Sequence, residues 1–259
     1  MNEQIRVSLV QPDLIWEDPA ENLERIGNMV REKVPSGTDL VLLPETFSTG
    51  FTMHAEHFAE EEPGPGREWM LSLARELNAC LAGSLIVRSG VQIYNRLYWV
   101  SPGGLEGHYD KRHLFRMGRE DKHFRPGESR KIFKLGAVRI MPQICYDLRF
   151  PVFARNRNDY DVLVYVASWP APRQSVWETL LRARAIENQA CVLAVSRVGV
   201  DGEGVDHLGG TCIVDPTGRV EGVLDHRPGV LHGIIDLKKI REFREQFPAW
   251  KDADDFLIR

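Results

Sequence analysis

The sequence predicts a layered α/β sandwich with mixed sheets, and three observations point there. Apolar runs of strand length alternate with amphipathic helical stretches along the chain. Some of these runs, such as residues 38–45, are continuous rather than alternating, as in strands covered on both faces. Hairpin turns interrupt the strand–helix rhythm, which makes the sheets mixed and favours a sandwich over a barrel. With 259 residues the chain can bury a full core, and no linker divides it. It therefore reads as a single domain, 1–259, with residues 248–259 an extended C-terminal tail.

Residues 5–11 alternate in polarity like a strand. Asp18, Pro19 and Glu21 then supply an N-cap, a proline at the first helical position and a carboxylate at the third. The helix they open runs from Pro19 to about Val34, with Leu23, Ile26, Met29 and Val30 on one face. The apolar run 38–45 follows and ends in Pro44 and Glu45. After the Pro-Gly-Pro-Gly break at 63–66, a helix carries Trp69, Leu73 and Leu77, and residues 81–87 return as a buried strand. Residues 92–100 alternate and pair, through a Ser-Pro-Gly-Gly turn, with residues 105–109.

Val138, Ile140 and Ile144 mark a central strand, and Pro151 opens a helix after it. Cys145 thus sits at a strand-to-helix junction, where a side chain projects from a tight turn and nearby N–H groups favour a thiolate. Pro142 is unusual in such a strand, because it removes a ladder hydrogen bond unless that position points off the ladder. Beyond it come a strand at 161–167, a helix from Val176 to about Gln189 and a strand at 190–196. Two strands flank the Asp-Pro-Thr-Gly turn at 215–218, and a strand at 230–235 precedes a short helix at 237–247. The tail from Pro248 shows neither period.

Composition narrows the function. The chain is 43% hydrophobic and 27% charged with a net charge of −4, an ordinary globular balance without a basic face for nucleic acid. A polar start runs directly into the first strand without a secretory signal, and no apolar run approaches membrane-spanning length. The expectation is a cytoplasmic protein with neither nucleic acid nor membrane as partner. Cys80, Cys145, Cys191 and Cys212 are widely spaced and mostly in apolar runs, which predicts reduced thiols without disulfide or metal.

Three residues stand at strand ends: Glu45, Lys111 and Cys145. Open α/β sheets place their sites there. A carboxylate can take a thiol proton, and an ammonium can hold the oxyanion formed when a thiolate attacks a carbonyl. A lone cysteine is usually a small buried hydrophobe and a lone lysine a solvated charge, so the set matters more than its members. Arg173 follows a strand through Trp169 and two prolines. A stiffened loop holds its guanidinium ready for a two-pronged pair with a carboxylate, which marks Arg173 and Trp169 as candidate substrate-binding residues. The residues also allow a Cys-His-Asp hydrolase using His113 or His207, and a non-catalytic binding protein that keeps the fold.

Leu-Pro-Glu-Thr-Phe at 43–47, Tyr-Asp-Lys-Arg-His-Leu-Phe at 109–115 and Ile-Cys-Tyr-Asp-Leu-Arg-Phe-Pro at 144–151 resemble the three signature segments of the nitrilase (carbon–nitrogen hydrolase) superfamily. Collinear matches at 64–66, 124–127, 180–189 and 215–218 extend the resemblance almost end to end. It implies a four-layer αββα sandwich that forms a homodimer, and a Glu-Lys-Cys triad at Glu45, Lys111 and Cys145. It also implies a second glutamate, for which Glu120 fits best, and an oxyanion held by Lys111 with the backbone N–H of Tyr146. The segments 145–151 and 168–173 further resemble the ω-amidase branch. That implies hydrolysis of the terminal amide of a small ω-amide, such as 2-oxoglutaramate, through a cysteine thioester and without a cofactor. Another amide, an N-carbamoyl compound or a nitrile is the alternative within the superfamily. Ser196 and Cys212 depart from the Asn and Ser common at their positions.

Overall fold

Among the residues that the computed structural model describes, 3–258, two six-stranded sheets lie face to face. Met1, Asn2 and Arg259, the ends of the expected domain and tail, lie outside the described residues. The first sheet contains β1 (Gln4–Gln11), β2 (Leu40–Leu42), β3 (Cys80–Ser89), β4 (Gln92–Ser101) and β5 (Gly104–Asp110). The second contains β6 (Phe133–Leu135), β7 (Val138–Ile144), β8 (Val162–Ala167) and β9 (Cys191–Ser196). A separate two-stranded ribbon, β10 (Val198–Val200) and β11 (Asp206–Leu208), follows β9 in the chain. The chain then adds β12 (Cys212–Val214) and β13 (Val220–Val223) to the second sheet and β14 (Gly229–Asp236) to the first. β1, β2 and β3 pair in parallel, as do β7, β8 and β9, while the outer strands pair antiparallel. Both sheets are therefore mixed, as the hairpins predict.

The continuous apolar strands are covered on both faces. In β2, Leu40 and Leu42 join the layer between the sheets, whereas Val41 joins the layer beneath the helices. That outer layer is closed by α1 (Pro19–Lys33) and, after the single turn α2 (Ala55–Phe58), by α3 (Pro65–Leu77), through Ile26, Val30, Met70, Leu73 and Ala74. α1 begins as expected, with Asp18 accepting from Glu21 N at 3.1 Å and Pro19 in the first turn. After the single turns α4 (Glu120–His123) and α5 (Pro151–Ala154), α6 (Gln174–Asn188) covers the second sheet with Trp177, Leu181 and Ala185. The last helix, α7 (Leu237–Gln246), packs through Leu237 and Ile240. The result is the αββα sandwich.

Several boundaries differ from the sequence reading. The strand expected through Glu45 ends at Leu42: Leu43 N still donates to Ala82 O at 2.8 Å, but Pro44 has no N–H and the ladder stops. Glu45 is thereby turned off the sheet. Pro142 is tolerated because β6 pairs only with Val138, Arg139 and Ile140, leaving no ladder on that side to interrupt. The tail contains one turn of 3-10 helix, Ala249–Asp252, too short to leave a period in the sequence. Farther along, Phe256 is held by Arg157, which donates to its carbonyl at 3.0 Å and lies over its ring at 4.7 Å.

Candidate active site

β7 ends at Ile144, and the chain enters a 3-10 turn over Cys145–Arg149. Cys145 itself adopts a left-handed backbone, φ +46°, a costly conformation for a residue with a Cβ. Asp147 holds the turn in this shape. Its fully buried carboxylate accepts from the backbone N–H of Ile144 at 3.0 Å and of His113 at 2.9 Å, and from the Tyr109 hydroxyl at 2.8 Å. Cys145 is reached from solvent, yet its sulfur is surrounded by protein and hydrogen-bonds the Glu45 carboxylate. Burial, with the Glu45 charge second, pushes its pKa well above the ordinary thiol range; Lys111 opposes the rise.

Lys111 leaves the end of β5 and is buried. Its Nζ donates to Glu45 Oε1 at 2.8 Å and to Glu120 Oε1 at 2.9 Å, and lies over the Phe51 ring at 5.0 Å. Burial works against the ammonium, but the charges of Glu120 and Glu45 outweigh it and raise the pKa. Glu120 is raised too, by burial first and by the Glu45 charge, against the pull of Lys111. Asn95, on β4, donates to Glu45 Oε1 at 2.8 Å and to Glu120 Oε1 at 3.4 Å, so it braces both carboxylates. Ser168 N donates to Glu45 Oε2 at 2.9 Å and Phe115 N to Glu120 Oε2 at 2.5 Å. Glu45, Asn95, Lys111, Glu120 and Ser168 are all buried, and one ammonium lies between two carboxylates.

Cys145 and Lys111 line a cavity of about 390 Å³ whose walls include Phe115, Tyr146, Trp169 and Arg173. The guanidinium of Arg173 lies over the Phe115 ring at 5.2 Å, and that of Arg149, also in the wall, over Trp169 at 5.5 Å. Trp169 is buried and fixed: its N–H donates to Ser196 Oγ at 3.2 Å and its indole N–H to Arg173 O at 2.8 Å. Ser196 thus has a local use where Asn is common in the family.

All seven residues singled out in the sequence, Glu45, Lys111, Glu120, Cys145, Tyr146, Trp169 and Arg173, meet at this cluster and its cavity. The histidines of the competing reading are bonded to groups other than Cys145. His113 Nδ1 lies 2.7 Å from Asp147, and both ring nitrogens of His207 have protein partners, Trp169 O and Asp201. The sequence reading missed Asn95, Asp147 and Ser168. Asp147 had a local signal, a carboxylate at the third position of the turn that Cys145 opens. Asn95 had none, because it reaches the site only through the pairing of β3 with β4.

The family model described as carbon-nitrogen hydrolase matches residues 6–245. The chain is 42% identical to an omega-amidase of Escherichia coli, YafV, over 98% of both chains. It is 32% identical to a 2-oxoglutaramate amidase of Bacillus subtilis over 95% of this chain and 96% of that one. Among solved structures, XC1258 of Xanthomonas campestris, a CN-hydrolase superfamily protein with an arsenic adduct in its active site, superposes with a TM-score of 0.96 at 41% identity over both full lengths. With the signature segments, the sandwich and a matching model over nearly its whole length, the chain belongs to the carbon–nitrogen hydrolase (nitrilase) family.

Proposed function

We propose that this enzyme hydrolyses the terminal amide of a small ω-amide of a dicarboxylic or 2-oxo acid, with 2-oxoglutaramate the leading substrate. The observation that carries the reading is the contact of the Cys145 thiol, whose pKa burial pushes up, with Glu45, itself held by Lys111 at 2.8 Å. A thiol kept neutral by burial needs a base in contact with it, and moving its proton to Glu45 relocates a negative charge rather than creating one. The thiolate attacks the amide carbonyl. Lys111 and the N–H of Tyr146, at the start of the turn where N–H groups lack intrahelical acceptors, hold the oxyanion. Glu45 returns the proton to the departing nitrogen, and ammonia leaves a thioester on Cys145. Glu45 then takes a proton from water, the hydroxide cleaves the thioester, and the thiol and the carboxylic acid are released. Glu120 positions Lys111 and the substrate. No step calls for a cofactor.

The relatives named for ω-amides and 2-oxoglutaramate support the substrate class, as do Arg173 and Arg149, half-buried cations in the cavity wall. We read the chain as one domain that works as a homodimer. The test is ammonia release from 2-oxoglutaramate and other ω-amides beside neutral amides, nitriles and N-carbamoyl compounds, with acid-quenched samples examined by mass spectrometry. The expected result is preference for anionic ω-amides and an acyl group on the Cys145 peptide. A preference for nitriles or neutral amides defeats the substrate class; an acyl-free Cys145 during turnover defeats the mechanism.

A further inference from the structure

His207 on β11 is buried in the cavity wall between two groups that only accept hydrogen bonds. Its Nδ1 lies 3.2 Å from the carbonyl of Trp169, and its Nε2 lies 3.1 Å from Asp201 Oδ2. A neutral imidazole has one N–H and can satisfy one of them. Holding both requires an additional proton on the pair. Asp201 Oδ1 accepts in turn from the backbone N–H of Glu203 at 3.0 Å and of Val205 at 2.9 Å, so the carboxylate is fixed in place with Oδ2 turned to the ring.

We propose that His207, as an imidazolium on Asp201, is a proton-dependent latch on residues 168–173, the segment that positions both Glu45 and Arg173. The inference rests on the ω-amide reading for its effect on turnover, though not for the latch itself. His207 touches no reacting atom; it is a positioning residue. Trp169 is the node: Ser168, one residue earlier, donates to Glu45, and the Trp169 indole binds the carbonyl of Arg173. When the pair loses its proton to solvent, the remaining N–H stays with the charged partner, Asp201. The Nδ1 lone pair then faces the Trp169 carbonyl, and the segment is released.

Among the described residues, the charged and titratable groups on the elements around the ring are Arg197 and Asp13 beside β10, Asp201 and Glu203 in the turn before β11, Asp206 on β11, His226 against the Leu208 carbonyl of β11, Arg173 on the facing turn and Arg149 over Trp169. Burial and then the Arg197 charge lower the His207 pKa, and Asp201 and the Trp169 carbonyl oppose them. The latch is therefore closed in mild acid and opens as pH rises through the acid side of the ordinary imidazole range.

The experiment pairs ring NMR with kinetics on the full chain. In 1H–15N spectra, with His207 assigned by its loss in His207→Asn, the ring should carry protons on both nitrogens in mild acid and lose the Nδ1 proton as pH rises. On an anionic ω-amide, wild-type kcat/KM should show an inflection over the same range. In mild acid, where the wild-type latch is closed, His207→Ala should lower kcat/KM about tenfold, the loss of one hydrogen bond of this kind, and the two proteins should converge as pH rises. In His207→Asn the side-chain amide can donate to the Trp169 carbonyl at any pH, so it should recover most of that loss without the inflection. A ring that stays neutral throughout, or an inflection that persists in His207→Asn, overturns the latch. Should no ω-amide be turned over, the substrate reading fails and the NMR result alone decides the latch.

Discussion

The Tyr109 hydroxyl donates to Asp147 at 2.8 Å, and both groups are sealed from solvent. This bond ties the turn that carries Cys145 to the strand that ends beside Lys111, while the N–H groups of Ile144 and His113 converge on the same carboxylate. The nucleophile and the ammonium are thereby placed by one acid. Burial, with the Asp147 charge second, pushes the Tyr109 pKa far up, so the phenol remains a donor throughout the working range. Tyr109→Phe should cost about 1.5–3 kcal/mol of stability, the worth of a hydrogen bond to a charged group, and lower kcat more than it raises KM. Urea unfolding and steady-state kinetics check both. Unchanged kcat would separate Asp147 from the placement of Cys145.

Lys111 separates two buried carboxylates, so its removal acts twice. Lys111→Met should slow turnover about 100- to 1000-fold through loss of an oxyanion donor. It should also destabilise the fold by about 3–5 kcal/mol by leaving Glu45 and Glu120 facing each other without a cation. Cys145→Ala removes no charge and should abolish turnover with an unchanged melting temperature. Near-normal turnover in either variant contradicts the proposed mechanism.

Much of this arrangement is legible in the chain because strand ends gather chemistry. Glu45 and Cys145 each follow an apolar run close to the end of a parallel-paired strand, the place where open α/β sheets gather their sites, while Lys111 follows the antiparallel β5 of the first sheet. Residues that enter across a hairpin are another matter. Asn95 lies inside an alternating strand and looks like any inward polar residue; only the antiparallel register of β3 and β4 carries it to the carboxylates. The ribbon of β10 and β11 escaped notice because three-residue strands carry no readable period. The sequence therefore offers His207 only as an alternative partner for Cys145, not as a ribbon residue bonded to Trp169 and Asp201.

A second buried charge cluster fastens α7. Asp161 accepts from Arg139 Nη2 at 2.8 Å and from Arg244 Nη1 at 3.0 Å, and Arg244 also donates to the carbonyls of Gln189 and Tyr160. Burial works to raise the Asp161 pKa, but the hydrogen bonds and charge of Arg139, aided by Arg244, hold it below the usual carboxylate range. A depressed carboxylate contributes stability above its unfolded pKa, about 3.9, and loses it as pH falls through the folded value. The urea midpoint of the wild type should drop below about pH 4. Asp161→Asn should be less stable by roughly 3 kcal/mol at neutral pH and show a shallower acid dependence. Parallel pH curves for the two proteins would remove Asp161 from the acid response.

Association is a third measurable property. Phe247 is 62% exposed and Leu257 86% exposed, beside a tail only partly held by Arg157. Large apolar side chains so placed would be covered in the proposed homodimer. Light scattering should give twice the chain mass at micromolar concentration, and Phe247→Glu should shift the protein toward monomer. A stable, fully active monomer in the wild type counts against the dimer.

In the proposed reading Arg173 sets how far the cavity selects for anions. Its backbone is pinned on both sides, the N–H donating to Pro170 O at 3.0 Å and the carbonyl accepting from the Trp169 indole at 2.8 Å. Its guanidinium rests on Phe115 and has no carboxylate partner among the described residues. Most half-buried arginines of this chain do have an acceptor, as Arg130 has in Asp159 and Arg139 in Asp161. A cation held over an aromatic ring with its donors unused is ready to meet a carboxylate with little further loss of freedom. Arg173→Met keeps much of the packing on Phe115 and removes the charge. It should weaken kcat/KM for 2-oxoglutaramate by about 1.5–3 kcal/mol, while a neutral short-chain amide loses little. Equal losses on both substrates would mean that the variant disturbs the cavity wall. No loss on either would leave the anion to Arg149, whose guanidinium lies over Trp169 in the same wall.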